Sequence, residues 1–322
     1  MCGEGADPVG AMPVTTTTYS IVVGLGGGAS GLSPEGNCTV LSAGLFGGSS
    51  SIATPTGTFV TATGGGGGGG YYNPTGQGWP GPNGGCGGGG NGLEPGPGPS
   101  GGGGGNSGSK ENGTPTNPGN SVPAQGYPGG DASISGGNNK AGGGGGGVGA
   151  VGWSGGTPGS STGSGSAQGG VGKTETITGQ SIVVGAGGGG GKQDAAFSNA
   201  YGGSPSPVYP TGIGGRGGVG PGPGPGNDFG FQAVHSTGSG GGGSFMDESP
   251  SPAAGARSGN GASGMVCIRY KIGTGDVYNS LAKATGGEIS FNSDGTKCYH
   301  RFRYPGTFAT TAAISGAETV SY

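Results

Sequence analysis

An irregular glycine-rich fold is what this sequence predicts: a bundle of extended polyglycine/polyproline II helices with short β-strands, a small C-terminal antiparallel β module and little or no α-helix. Three observations lead there. Glycine supplies 96 of 322 residues and proline 24. Only 28% of residues are hydrophobic and 8% charged, where an ordinary globular domain holds about 45–50% apolar residues, so a conventional core of this size is out of reach. The glycines also gather in pure runs, at 64–70, 87–90, 101–105, 142–147, 187–191 and 240–243.

Composition of this kind leaves several readings. Collagen requires glycine at every third position, and Pro221-Gly222-Pro223-Gly224-Pro225-Gly226 has a period of two instead. A disordered linker is the default for chains with Pro+Gly above about 25–30% and no period. An ordered lattice of extended helices with three residues per turn is the third reading. Uniform run length favours the lattice. At about 3.1 Å per residue the runs span roughly 12–22 Å, a spread that suits stacked rods. Glycine loses more backbone entropy on folding than any other residue and has no side chain to bury. What it permits is close backbone approach on every side, so that each N–H can meet a neighbouring carbonyl. Proline suits rod ends, because its fixed φ matches the same helix and it lacks a donor.

The intervening segments carry bulk and turn formers. Tyr71, Tyr72, Trp79, Tyr127, Trp153, Phe197, Tyr201, Tyr209, Phe229, Phe231 and Phe245 stand among Asn, Pro, Ser and Thr. Such aromatics either cap the rods or face outwards as a binding surface. Two stretches read as strands that pass directly into glycine: Tyr19-Ser20-Ile21-Val22-Val23-Gly24 and Ser181-Ile182-Val183-Val184-Gly185. Their similarity suggests a body over residues 1–263 made of two lobes, about 1–172 and 173–263. Residues 264–322 change character. Strands are expected over 265–272, 288–291, 297–304 and 307–310, with Asn292-Ser293-Asp294-Gly295 and Pro305-Gly306 as turns.

Chemistry-bearing motifs are weak. Ala167-Gln168-Gly169-Gly170-Val171-Gly172-Lys173-Thr174 ends like a phosphate-binding loop, but a β pattern follows where a helix is needed. His235 and His300 have no obvious positioned carboxylate, and the chain is expected not to be an enzyme and to hold no cofactor. Cys2, Cys38, Cys86, Cys267 and Cys298 form no pair at zinc-ligand spacing. They read as free thiols, with a Cys267–Cys298 contact left open. The net charge is −3 with 12 scattered basic residues, so nucleic acid is not an expected partner. No run reaches the about 20 apolar residues that span a bilayer. The first residues lack the basic and apolar regions of a secretory signal, and synthesis in a cytoplasm is expected.

Several segments, in order, resemble glycine-rich bacteriophage tail-fibre and appendage proteins. Residues 19–28 and 181–188 are similar to the strand-to-glycine segments of that family. Gly261-Ala262-Ser263-Gly264-Met265-Val266-Cys267-Ile268-Arg269-Tyr270 is similar to its closing motif. Ala284-Thr285-Gly286-Gly287-Glu288-Ile289, Tyr299-His300-Arg301-Phe302 and Gly306-Thr307-Phe308 resemble an adjoining β module. The apolar strand that usually opens the glycine body is not evident in residues 1–18. The resemblance implies a polyglycine II bundle on a virion tail or surface appendage. It also implies host attachment or a structural role, other fibre subunits as partners, and an oligomer, a trimer among the options. A host surface glycan or outer-membrane protein would be the receptor. Loops on a rigid scaffold are where recognition usually sits, which makes Tyr71, Tyr72, Trp79, Tyr201 and Tyr209 the candidate receptor-contact residues. Capping of rod ends is the competing role for the same rings.

Overall fold

The computed structural model describes residues 12–29, 40–41, 44–68, 71–72, 77–78, 84–86, 89, 125–131, 133–135, 139–154, 168–191, 213–218, 230–244, 258–272, 282–311 and 314–321. No helix occurs among them. In chain order the strands are β1 (Met12–Val14), β2 (Thr18–Val22), β3 (Val40–Leu41), β4 (Ser50–Thr54), β5 (Gly57–Ala62), β6 (Tyr71–Tyr72), β7 (Gln77–Gly78), β8 (Ser133–Ser135) and β9 (Asn139–Ala141). They continue as β10 (Lys173–Glu175), β11 (Ile182–Val184), β12 (Val266–Lys271), β13 (Ala284–Thr285), β14 (Glu288–Phe291), β15 (Lys297–Phe302), β16 (Gly306–Thr310) and β17 (Ile314–Ser321).

Period-two alternation builds the apolar centre. In β2, Tyr19 and Ile21 point inward while Thr18, Ser20 and Val22 point out. In β12, Val266, Ile268 and Tyr270 face the same core. Two five-stranded sheets, in the orders β1-β17-β12-β15-β14 and β13-β16-β2-β4-β5, enclose it. Tyr19, Ile21, Ile52, Phe308, Val14, Ile314, Cys298 and Phe302 complete the cluster between them. The C-terminal strands therefore share sheets with residues 12–62: β16 pairs with β2 (Gly306↔Ile21, Phe308↔Tyr19) and β17 with β1 (Met12↔Ala317).

The opposite face of β12 is also covered. The β10–β11 hairpin lies there, with Ile177 accepting from the Cys267 thiol and Val184 packed with Met265 and Ala62. Gly179 in its turn stands at φ +79, and a Cβ there would lie 3.0 Å from Cζ of Tyr299. Both the left-handed backbone and the ring above it require glycine.

Beyond the sandwich the chain runs as extended segments bonded side to side, and their hydrogen bonds recur every third residue. Gly142, Gly145 and Val148 donate to Gly191, Gly188 and Gly185 at 2.9, 2.9 and 2.8 Å. Gly144 and Gly147 donate instead to Trp153 and Ala150, both at 2.9 Å. The carbonyls of Gly144, Gly147 and Gly145 accept from Gly130, Tyr127 and Gly170. Residues 142–147 are thus bonded to four neighbouring segments, 125–131, 150–154, 168–172 and 185–191. A second set repeats the pattern. Gly44 and Gly47 donate to Gly68 and Gly65, while Leu45 and Gly48 donate to Gly28 and Leu25. Both directions occur: 142–147 runs antiparallel to 185–191, whereas Gly240 and Gly243 bond in parallel to Ala186 and Gly189.

Among the described glycines of these runs, none in 64–68, 142–147, 187–191 or 240–243 has positive φ. Their glycine identity comes from proximity. A Cβ on Gly143 would collide with the carbonyl of Gly130, one on Gly144 with that of Gln168, and one on Gly188 with that of Gly241. Bonds also cross the expected divisions: 142–147 with 185–191 across residue 172, and Gly264 with Gly24 at 2.8 Å.

Candidate interaction surface

The chain path gives the body two unlike ends. Segments 44–49 and 63–68 are joined at one end by β4 and β5, which belong to the sandwich. At the other end β3 precedes the first segment and β6 follows the second, and β3, β6 and β7 form a separate three-stranded sheet. β6 and β7 pair as Tyr71↔Gly78 and Tyr72↔Gln77. The β8–β9 hairpin likewise joins 125–131 to 142–147 away from the sandwich. The backbone of Tyr71 and Tyr72 is thus placed at the end remote from the sandwich. Their side chains, and Trp79, Tyr201 and Tyr209 altogether, lie outside what is described.

Outer segments add a second surface. Period three gives each extended segment an inward line of small residues and outward lines of larger ones. In 230–234, Ala233 is buried while Phe231 and Val234 project, both about half exposed, with the Arg216 guanidinium 5.9 Å from the Phe231 ring centre. In 150–154, Gly152 abuts the carbonyls of Gly144 and Gly145 while Val151 and Trp153 project. On two adjacent hydrogen-bonded segments Leu25 (74% exposed), Leu45 and Phe46 are exposed, as is Val22 at the end of β2. Sequence reading placed Trp153 and Phe231 in connecting loops; they stand on the flanks of hydrogen-bonded segments. It missed Leu25, Leu45, Phe46 and Val234, although the three-residue spacings Val22/Leu25 and Phe231/Val234 are visible in the sequence.

His300 is bonded by Tyr270 and Gly286 and fully buried. Cys86, Cys267 and Cys298 are free thiols and buried. Cys267 and Cys298 do not meet: the first faces Ile177 beneath the hairpin, the second lies in the sandwich core. Burial pushes the Cys267 thiol up to about 12, against the opposing pull of Arg301 and Arg269. Among the described residues no three His, Cys, Asp or Glu side chains stand close enough to hold a metal. The segment that resembles a phosphate-binding loop continues into β10, where Lys173 pairs with Glu175 at 3.2 Å. Among the described residues no helix is long and apolar enough to cross a membrane.

No family model matches the sequence, no curated protein matches it, and no solved structure matches the fold.

Proposed function

We propose that the chain is a structural virion protein, a phage tail fibre or appendage, whose body is a polyglycine II bundle that presents one end for host attachment. The observation that carries this reading is the three-residue recurrence of backbone hydrogen bonds between glycine segments. A helix with three residues per turn and rise of about 3.1 Å returns the same face to the same neighbour every third residue. Having its bonds directed outwards, it accepts parallel and antiparallel neighbours alike, and both are present. Fixed rods of similar length suit a part that must hold a surface at a distance without a large apolar core. The order of the strand-to-glycine segments and of the closing motif supports assignment to a virion, with fibre subunits as partners.

In this reading Tyr71, Tyr72, Trp79, Tyr201 and Tyr209 contribute to a surface that contacts a host glycan or outer-membrane protein. Rigid aromatic rings give large contact area at small entropy cost. The glycine body over 1–263 and the β module over 264–322 are then joined through a shared sandwich, the module pairing with strands of residues 12–62. Alanine at Tyr72 and Trp79 tests the attachment role: host adsorption should fall while the melting point stays unchanged. Normal adsorption, or a lower melting point, would assign these rings to capping. A purely structural virion component without a receptor is the alternative, and the exposed apolar side chains of Leu25, Leu45 and Phe46 on adjacent segments favour it, since such residues suit packing against other subunits.

A further inference from the structure

The chain has two histidines, His235 and His300. His300 lies on β15 in the middle of the sandwich core, with no exposed surface. Its Nδ1 is 2.7 Å from the Gly286 carbonyl oxygen and its Nε2 is 3.0 Å from the Tyr270 hydroxyl. A carbonyl only accepts, so Nδ1 holds the proton and donates; Nε2 is bare and accepts from Tyr270. With Tyr270 as the donor, the neutral ring satisfies both contacts. The Tyr270 oxygen is already an acceptor for the backbone of Lys283 and Ala284, and the Cys298 sulfur lies beside it as a further acceptor for its proton. A proton on Nε2 would set two donors against each other in a closed core.

The surroundings offer an imidazolium nothing. Tyr270 of β12 stacks on the ring at 5.6 Å between centres, and Phe308 of β16 meets it edge-on at 5.0 Å. Tyr19 of β2 packs behind Phe308 at 6.0 Å. Cys298 lies on its own strand, Ile289 of β14 is its cross-strand neighbour, and Val14, Ile52 and Ile314 supply the rest from β1, β4 and β17. Of the charged groups on these strands, Lys271 is exposed and Lys297 lies near Asp294. Arg301 and Arg269 lie by Cys267 on the opposite face, Glu288 pairs with Arg303 at 3.4 Å, and Asp294 accepts from Thr296.

We propose that His300 is an acid latch on the sandwich: the neutral ring ties β12 to the corner between β13 and β14, and protonation releases them. Burial holds the imidazole below its ordinary range. In the unfolded chain it takes up a proton near pH 6.5, as an unperturbed histidine does. Through the window just below that value the unfolded state binds more protons, so stability falls as pH drops and is complete above it. Carboxylates titrate lower, at about 4, and His235 is exposed in the turn at 235–238. The interval from about pH 5 to 6.5 therefore belongs to His300. Because β12 and β15 hold the C-terminal strands against β1 and β2, release would part the two ends of the chain.

The test is urea denaturation of the full chain at pH 7.5, 6.5 and 5.5. The unfolding constant of the wild type and of His235→Gln should rise between pH 7.5 and 5.5, by at most about tenfold; in His300→Gln it should not change. If His300→Gln does not fold, the wild-type imidazole resonances decide: the His300 midpoint in the folded chain should lie below the ordinary histidine value of about 6.5. A flat wild-type profile, an unaltered slope in His300→Gln, or a folded-state His300 midpoint near pH 6.5 would overturn the proposal.

Discussion

Adjacent glycines in one run should respond in opposite ways to the same methyl group. In 64–68 a Cβ on Gly64 or Gly67 would collide with the carbonyl of Gly47 or Gly44. A Cβ on Gly65 would meet only the Cys86 oxygen at 3.9 Å, and one on Gly68 would meet nothing within 4 Å. Gly67 is buried and Gly68 exposed. Alanine at 67 must push segment 44–49 away, which breaks the bonds Gly44→Gly68 (3.0 Å) and Gly47→Gly65 (2.9 Å). At a net contribution of about 0.5–1.5 kcal/mol per bond, the pair accounts for about 1–3 kcal/mol. Alanine at 68 has room and an allowed backbone. It should stabilise by about 0.4–1 kcal/mol through the unfolded chain. The two variants should therefore differ by about 1.5–4 kcal/mol in urea denaturation, or roughly 2–6 °C in melting temperature. Equal stabilities for Gly67→Ala and Gly68→Ala would refute the close packing argued here, because composition and helix or strand propensity are identical in the two.

Three further outcomes follow from the same structure. Gly144→Val, in the segment with four bonded neighbours, should lower stability more than Gly67→Ala, because it strands buried backbone groups at about 1–3 kcal/mol each; wild-type melting would count against it. Cys86, Cys267 and Cys298, being buried, should resist iodoacetamide at pH 8 in the native chain and react in urea, and rapid native alkylation of Cys267 would contradict its raised thiol. A chain ending at residue 263 should lose native-like fluorescence from Tyr19, because β2 would lack β16 and the core would lack Phe308 and Tyr270; unchanged emission and stability would mean that the N-terminal sheet stands alone.

Much of the C-terminal sheet was legible in the sequence, because strong alternation and unambiguous turns coincide there. Strands expected over 288–291, 297–304 and 307–310 are found as β14, β15 and β16. The strands that went unnoticed have weak local signals. Met12–Val14 is three residues long, β4 and β5 are rich in Ser, Thr and Ala, and β17 contains Gly316 and Glu318. Their pairing with distant strands decides their conformation, and propensity does not report on that. The sharing of sheets between residues 12–62 and 264–322 was hidden for the same reason. In the body, pure glycine carries no periodic pattern, so which runs are neighbours could not be read. Only where Phe231 and Val234 or Val22 and Leu25 interrupt it does the three-residue spacing surface. Of the candidate contact residues, Tyr71 and Tyr72 have a place in the fold, remote from the sandwich.

The central claim is that the glycine runs are fixed by hydrogen bonds to their neighbours, and residue-resolved amide hydrogen exchange tests it most directly. Gly142, Gly144, Gly145 and Gly147, whose N–H groups are bonded to Gly191, Trp153, Gly188 and Ala150, should exchange orders of magnitude more slowly than an unstructured chain, with protection approaching that of β12. Exchange of these four amides at the unprotected rate, alongside a protected β12, would contradict the account and leave a sandwich with glycine linkers.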